Sequence, residues 1–179
     1  MVKMEKSLTK TAICFFLLFF LFTLGGSRGV KDRVSGEERR LEIRVEGNVD
    51  WTDTGLDVTE GQVIYFRAMG QIRLQLGNPV TYCRPDGYNY QSVQQPLQEK
   101  NIGALIGKVY LLISVETDEE TGEEIRNELS ETFYIGSTNR VAVPMNGRLF
   151  LGINENLVAD NDGFFTVVIY TEYPEEGKI

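Results

Sequence analysis

The chain contains no histidine and only two cysteines among its 179 residues. The absence of histidine excludes Ser-His-Asp and Cys-His catalytic arrangements within the chain, and it excludes zinc, copper and haem sites that need imidazole ligands. Cys14 lies in an apolar run that we expect to be removed, which leaves Cys83 alone. A lone cysteine permits neither an internal disulfide nor a four-cysteine metal site. We interpret Cys83 as a buried or semi-buried thiol, with pairing to another chain as the alternative.

Basic residues are also scarce. The chain has 18 Lys and Arg against 26 Asp and Glu. Without residues 1–29, which hold four basic residues and one acid, the remainder carries 14 basic and 25 acidic residues, a net charge of −11. Nucleic acids and anionic membranes both require a basic face, so neither is expected as a partner. A divalent cation is compatible with this charge.

The N-terminal segment has the order of a secretory signal peptide. Residues 1–10 are basic overall, residues 11–24 form a nearly unbroken apolar stretch of 14 residues, and small residues follow. We therefore expect residues 1–29 to be a signal peptide that is removed, and the protein to be secreted or periplasmic without stable membrane insertion afterwards. The alternative is an uncleaved anchor, although 14 helical residues span only about 21 Å of a hydrocarbon core of about 30 Å.

The rest of the chain is divided into a polar linker (residues 30–40), one domain (residues 41–173) and a C-terminal tail (residues 174–179). Short β-prone runs, most of them alternating apolar and polar residues, are separated by Gly, Asn, Asp and Pro clusters. This pattern predicts an all-β domain, an antiparallel β-sandwich of the jelly-roll kind. The clearest runs are residues 41–46, 63–66, 72–76, 149–153 and 165–169.

Two segments interrupt this pattern. Residues 116–124 contain six acids and no base between two β-prone runs, and they predict a long hairpin with a solvated tip and a turn at Gly122. A calcium loop of the EF-hand type is the alternative, but its flanking helices are missing. Residues 77–101 form a long irregular segment. Its aromatic and hydrogen-bonding side chains suit a sugar ligand, although a surface loop folded back on the sandwich is equally compatible; they are Tyr82, Asp86, Tyr88, Asn89 and Tyr90.

The richest group of oxygen ligands lies in residues 152–165, between two predicted strands. Calcium takes six to eight oxygens from carboxylates, amides and backbone carbonyls, so this loop is a candidate calcium site. The alternative is a turn rich in Asn and Asp, because these residues tolerate left-handed geometry. The candidate side chains are Asn154, Glu155, Asn156, Asp160, Asn161 and Asp162.

Five segments occur in an order that resembles the PA-I-type bacterial calcium-dependent galactose-binding lectin family and its exported relatives. They are WTDTGLDVTEGQ (51–62), NIGALIGKV (101–109), FYIG (133–136), VPMNGRLFLGINEN (143–156) and VADNDGFFTV (158–167). The resemblance covers about residues 45–170. It implies a jelly-roll-like, galactose-binding-domain-like sandwich of two antiparallel sheets, one bound calcium ion, and a sugar whose hydroxyls complete the calcium coordination.

The resemblance also implies ligands by position. The paired asparagines of the lectins fall on Asp160 and Asn161, and their upstream acidic ligand falls on Glu155 or Asn156, after Asn154. A carbonyl ligand falls near Leu157, and a further carbonyl falls within residues 72–74. The His-Pro segment with which the lectins contact sugar has no counterpart here, since the chain lacks histidine.

These observations predict a calcium-dependent carbohydrate-binding protein, with a galactose-like sugar as one candidate ligand and a homo-oligomer as a possible assembly. The alternative is a structural or adhesion module that contacts another protein. A hydrolase with two carboxylates is the weakest hypothesis, because no spacing selects a pair, and we expect no enzymatic activity. A sugar binder should bring Asp86 or the tyrosines of residues 77–101 beside the 154–162 loop, whereas an interaction module should show an apolar patch elsewhere.

Overall fold

A computed structural model describes residues 40–75 and 81–172, in which nine β-strands and no α-helix are found. The strands are β1 (Arg40–Glu46), β2 (Trp51–Val58), β3 (Val63–Arg73), β4 (Tyr82–Cys83), β5 (Leu105–Thr117), β6 (Glu124–Tyr134), β7 (Thr138–Ala142), β8 (Gly147–Ile153) and β9 (Asp162–Tyr170). Over these residues, no helix has the length and apolarity needed to cross a membrane. The predicted signal peptide (residues 1–29), nearly all of the predicted linker and the tail (174–179) lie outside the described residues.

The strands form two antiparallel sheets. The first has the order β1-β9-β3-β4, and β7 pairs with the other half of the same edge of β3. The second has the order β2-β8-β5-β6. Side chains from both sheets form one buried cluster, with Ile64 and Phe66 on the first sheet and Val109 and Leu149 on the second. The predicted all-β class and antiparallel sandwich are confirmed.

The period-two pattern explains which face of each strand is buried. On β9, Phe165, Val167 and Ile169 have no exposed surface, and on β1 the alternate residues Glu42 and Arg44 face solvent. Burial of each large apolar side chain contributes about 1.5–3 kcal/mol. The sole tryptophan, Trp51, is half-buried at the start of β2, with the Lys108 ammonium 4.1 Å from its ring centre.

The connection of residues 154–161 crosses from one sheet to the other at one end of the sandwich, because β8 belongs to the second sheet and β9 to the first. At this end Leu105 opens β5 opposite Ile153, and Asp162 opens β9 opposite Arg73. The long segment before β5 also reaches this end. The fold therefore places two loops from the sequence analysis, the long irregular segment and the candidate calcium loop, at the same end of the sandwich.

Candidate functional site

Residues 102–104 join the two loops by backbone hydrogen bonds on both sides. The Tyr88 N–H donates to the Ile102 carbonyl, and the Ile102 N–H donates to the Tyr90 carbonyl, each over 2.8 Å. On the other side the Gly103 N–H donates to the Asn154 carbonyl over 3.1 Å. These bonds fix the position of Tyr88 and Tyr90 relative to Asn154, where the 154–161 loop begins.

Asn154 anchors the long segment from inside the fold. Its side chain is fully buried, and its Oδ1 accepts the Leu97 N–H over 2.8 Å. Its Nδ2 donates to the carbonyls of Leu97 and Asn101, both over 3.0 Å. The predicted metal ligand Asn154 therefore has backbone partners for both ends of its carboxamide.

Glu155, Asp160 and Asn161 form a compact polar group in the crossing loop. The Asn161 Nδ2 donates to the Glu155 Oε2 over 2.7 Å and to the Gly47 carbonyl over 3.1 Å, which ties the loop to the turn after β1. The Oδ1 atoms of Asp160 and Asn161 are both buried and have no hydrogen-bond partner. Buried polar atoms normally have partners, and leaving one unpaired costs about 1–3 kcal/mol.

The electrostatics of this group are unfavourable for negative charge. Burial and the nearby Asp160 carboxylate raise the pKa of Glu155, against the hydrogen bond from Asn161, which lowers it. Beneath the loop, burial raises the pKa of the Cys83 thiol to about 12, with a further contribution from the charge of Glu155. Cys83 is a free, buried thiol, as interpreted from the sequence.

A shallow cavity of about 270 Å³ lies where the two loops meet. Leu74 and Ile102 provide apolar surface, and Tyr88 and Tyr90 provide exposed aromatic faces. Carboxylates occupy the remaining side. The lining residues are Leu74, Gln75, Thr81, Tyr88, Tyr90, Ile102, Glu155, Leu157 and Asp160.

Of the residues predicted to contact sugar, Tyr88 lines the cavity, together with Tyr90 from the same loop. Tyr82 lies on β4 with its ring 5.8 Å from the Arg73 guanidinium, and Asn89 is exposed; neither lines the cavity. The sequence analysis did not single out Gln75, Thr81 or Ile102, because nothing local distinguishes them.

Asp86 is committed to a structural contact. Its Oδ1 accepts the Ser137 N–H over 2.8 Å and the Tyr134 hydroxyl over 3.2 Å, and its Oδ2 accepts the Ser137 hydroxyl. Partial burial raises the pKa of Asp86, but these hydrogen bonds outweigh it and leave the pKa below its usual value. Asp86 therefore fastens the turn before Tyr88 to the segment after β6.

The donor set of the crossing loop is compatible with a calcium ion. Within the described ranges no three acidic or cysteine side chains converge to hold a metal ion. The group instead combines two carboxylates, Glu155 and Asp160, with the amide oxygen of Asn161. Two of its oxygens are buried and have no hydrogen-bond partner. A bound cation would be a partner for both. Asn156 and Leu157 are exposed beside it.

No family model matches the chain, and no curated protein matches it. Among the solved structures that match the chain are the following two. The N-terminal domain of EclA, described as a PllA-like lectin, shares 20% identity with a TM-score of 0.49, over 73% of this chain and 94% of that one. A protein of the Bacillus endospore appendages, described as a family of disulfide-linked pili, shares 12% identity with a TM-score of 0.22, over 76% and 88%.

Proposed function

We propose that this chain is an exported carbohydrate-binding protein whose site is the cavity between Tyr88, Tyr90 and the 154–161 loop. The observation that carries the proposal is that two aromatic faces and the side chains of Glu155 and Asp160 line one cavity, beside two buried oxygens, on Asp160 and Asn161, that have no hydrogen-bond partner. Ligand sites of small molecules combine apolar surface with a few placed polar groups. A pyranose presents both kinds of surface, an apolar C–H face and a rim of hydroxyls.

We further propose that calcium is part of this site. Glu155, Asp160 and Asn161 would hold it, with their side-chain oxygens as ligands. When bound, calcium supplies coordination positions to sugar hydroxyls. It also compensates the charge of two carboxylates that otherwise lie close together in a partly buried loop.

The chain's own residues supply orientation and selectivity. Tyr88 and Tyr90 present their rings at a position set by the hydrogen bonds to Ile102, so a sugar ring meets a prepared surface. With calcium bound, the charges of Glu155 and Asp160 balance the charge of the ion, so the site has no net charge to attract an ionic ligand. We therefore place the ligand among neutral sugars, galactose-like ones included, and we propose binding without catalysis.

Thermal melting of the protein with excess calcium, with magnesium and with chelator tests the metal. At about 100 times the dissociation constant calcium should stabilise the fold by about 2.7 kcal/mol, a shift of a few to about ten degrees. The double variant Asp160→Ala/Asn161→Ala should lose this shift. The matched control Glu119→Ala/Glu120→Ala, in the solvated hairpin tip, should keep it. Absence of a shift in the wild type contradicts the metal proposal.

A glycan array of neutral sugars, probed with calcium and with chelator, tests the ligand. Tyr88→Ala and Tyr90→Ala should weaken glycan binding and preserve the calcium shift, because the rings lie outside the proposed ligand set. Tyr82→Ala serves as the control, since Tyr82 is about as exposed as Tyr88 but lies outside the cavity. A calcium shift without glycan binding would leave a calcium-stabilised module that does not bind sugar.

A further inference from the structure

The hairpin of β5 and β6 extends beyond the sheet that carries it. β8 pairs with β5 only from Leu105 to Tyr110, whereas β5 continues to Thr117 and pairs with β6 from Ile106 to that end, apart from an irregularity at Ile113. Residues 111–129 therefore form a two-stranded ribbon. No strand within residues 40–75 and 81–172 pairs with the outer edge of β6.

Both faces of the ribbon carry exposed apolar side chains. Ile113 is 60% exposed and Leu129 is 53% exposed. The remaining ones are Leu111, Leu112, Val115 and Ile125. An isolated two-stranded hairpin is marginally stable in water, and an unprotected edge strand is a template for pairing with another chain. This ribbon combines an open edge with apolar surface, so it has the features of an interface.

We infer that a second copy of this chain pairs with the ribbon, β6 against β6 in antiparallel orientation, across a two-fold axis at Asn127. This assembly is independent of the proposed sugar site, which lies at the end of the sandwich where β5 begins. Each copy contributes the same surface, as a two-fold interface requires.

Self-complementarity around Asn127 carries the inference. With Asn127 opposite its own copy, Arg126 faces the partner's Glu128, and Ile125 faces the partner's Leu129. Each contact occurs twice in the dimer. Opposite charges and apolar pairs directly across antiparallel strands are stabilising. The Tyr110 hydroxyl on β5 donates to the Oε2 of Glu128 over 2.8 Å, which leaves the other oxygen of this carboxylate available to a partner.

Other registers lack this match. A two-fold axis at Leu129 places Arg126 opposite Thr132 and Glu128 opposite Ser130. An axis at Ile125 leaves little of β6 paired. A parallel arrangement sets the acidic residues 116–124 of the two copies side by side. The Asn127 register instead directs the two acidic tips in opposite directions and pairs residues 124–130 of both copies.

Charge exchange tests the register, with sedimentation of the full chain as the measurement. Arg126→Glu and Glu128→Arg should each place like charges opposite each other and weaken the dimer at least ~10-fold. An equimolar mixture of the two variants should restore association, because every opposed pair is then oppositely charged. A cooperative thermal transition in each variant would show that both variants fold. A monomeric wild type, or a mixture that stays monomeric, overturns the inference.

Cysteine cross-linking gives a second measurement, in a Cys14→Ser background. Directly opposed residues of antiparallel strands have Cα atoms about 4.5–5.5 Å apart, within the range of about 4.4–6.8 Å that a disulfide spans. Asn127→Cys should therefore form a covalent dimer on mild oxidation, and Leu129→Cys, its control on the same face, should not. Cross-linking through residue 129 in place of 127, or through neither, contradicts the proposed pairing.

Discussion

Single polar side chains connect the loops of this protein to its core. Asn154 directly follows β8, and its carboxamide forms hydrogen bonds with the backbone of residues 97–101. Asp86 does the same for the segment after β6 through Ser137. Both belong to residue types that the sequence marks as functional candidates. Their partners show that each also holds an irregular segment in place.

Replacing Asn154 with Ala should destabilise the fold by about 1–3 kcal/mol, because the substitution leaves the Leu97 N–H and two carbonyls without their buried partner. Urea unfolding in chelator measures the loss. Asn156→Ala, at an exposed neighbouring position, should change stability by less than about 0.5 kcal/mol. Equal stability of the two variants would contradict the anchoring role of Asn154.

At the scale of elements, β3 and β9 approach each other closely where the crossing loop ends. Gly163 has φ +84°, and a Cβ at this position would lie 2.5 Å from the Gln71 carbonyl oxygen. Only glycine fits both the left-handed backbone and the short distance. The close approach of these strands positions Asn161 against the turn after β1.

Gly163→Ala should therefore destabilise the protein more than backbone strain alone predicts. Gly61 separates the two effects, because it has φ +79° and a Cβ added there would meet no atom within 4 Å. Gly61→Ala should cost about 1–2 kcal/mol from the left-handed conformation. Gly163→Ala should cost more, since β3 and β9 must also separate. Thermal melting compares the two, and equal losses would show that the close approach relaxes freely.

At the scale of the whole molecule, an acidic chain carries a partly buried carboxylate at the proposed site. The pKa of Glu155 is raised by burial and by Asp160. A raised pKa in the folded state means that this group contributes stability below its unfolded pKa of about 4.5 and loses it as the pH rises through the folded value. Protons and calcium should therefore compensate the same charge in this loop.

This competition gives Glu155→Gln opposite effects under two conditions. In chelator at pH 7 the variant should melt at a higher temperature than the wild type, because it removes a carboxylate whose charged form is disfavoured, and at pH 4 the difference should vanish. With excess calcium at pH 7 the variant should melt at a lower temperature, since it lacks a ligand. Melting curves at both pH values measure this. A variant that is less stable than the wild type in chelator at pH 7 would contradict the sign.

The architecture could be predicted from the sequence alone, because alternation of apolar and polar residues is a local property of each strand. Leu41, Ile43 and Val45 already predict which face of β1 is turned inward, and Gly122 predicts the turn between β5 and β6. Local composition likewise shows that residues 154–162 are rich in side chains with oxygen ligands.

Which of these residues lie close together depends on the tertiary fold. Tyr88 and Glu155 are far apart in the sequence, and they line one cavity because residues 102–104 pair with both loops. Asp86 has the same side chain as Asp160 and was equally a candidate ligand. However, it accepts hydrogen bonds from Ser137 and Tyr134 and does not line the cavity. Contacts between loops depend on chain segments that the sheets bring together. They therefore cannot be predicted from the local periodicity of the sequence.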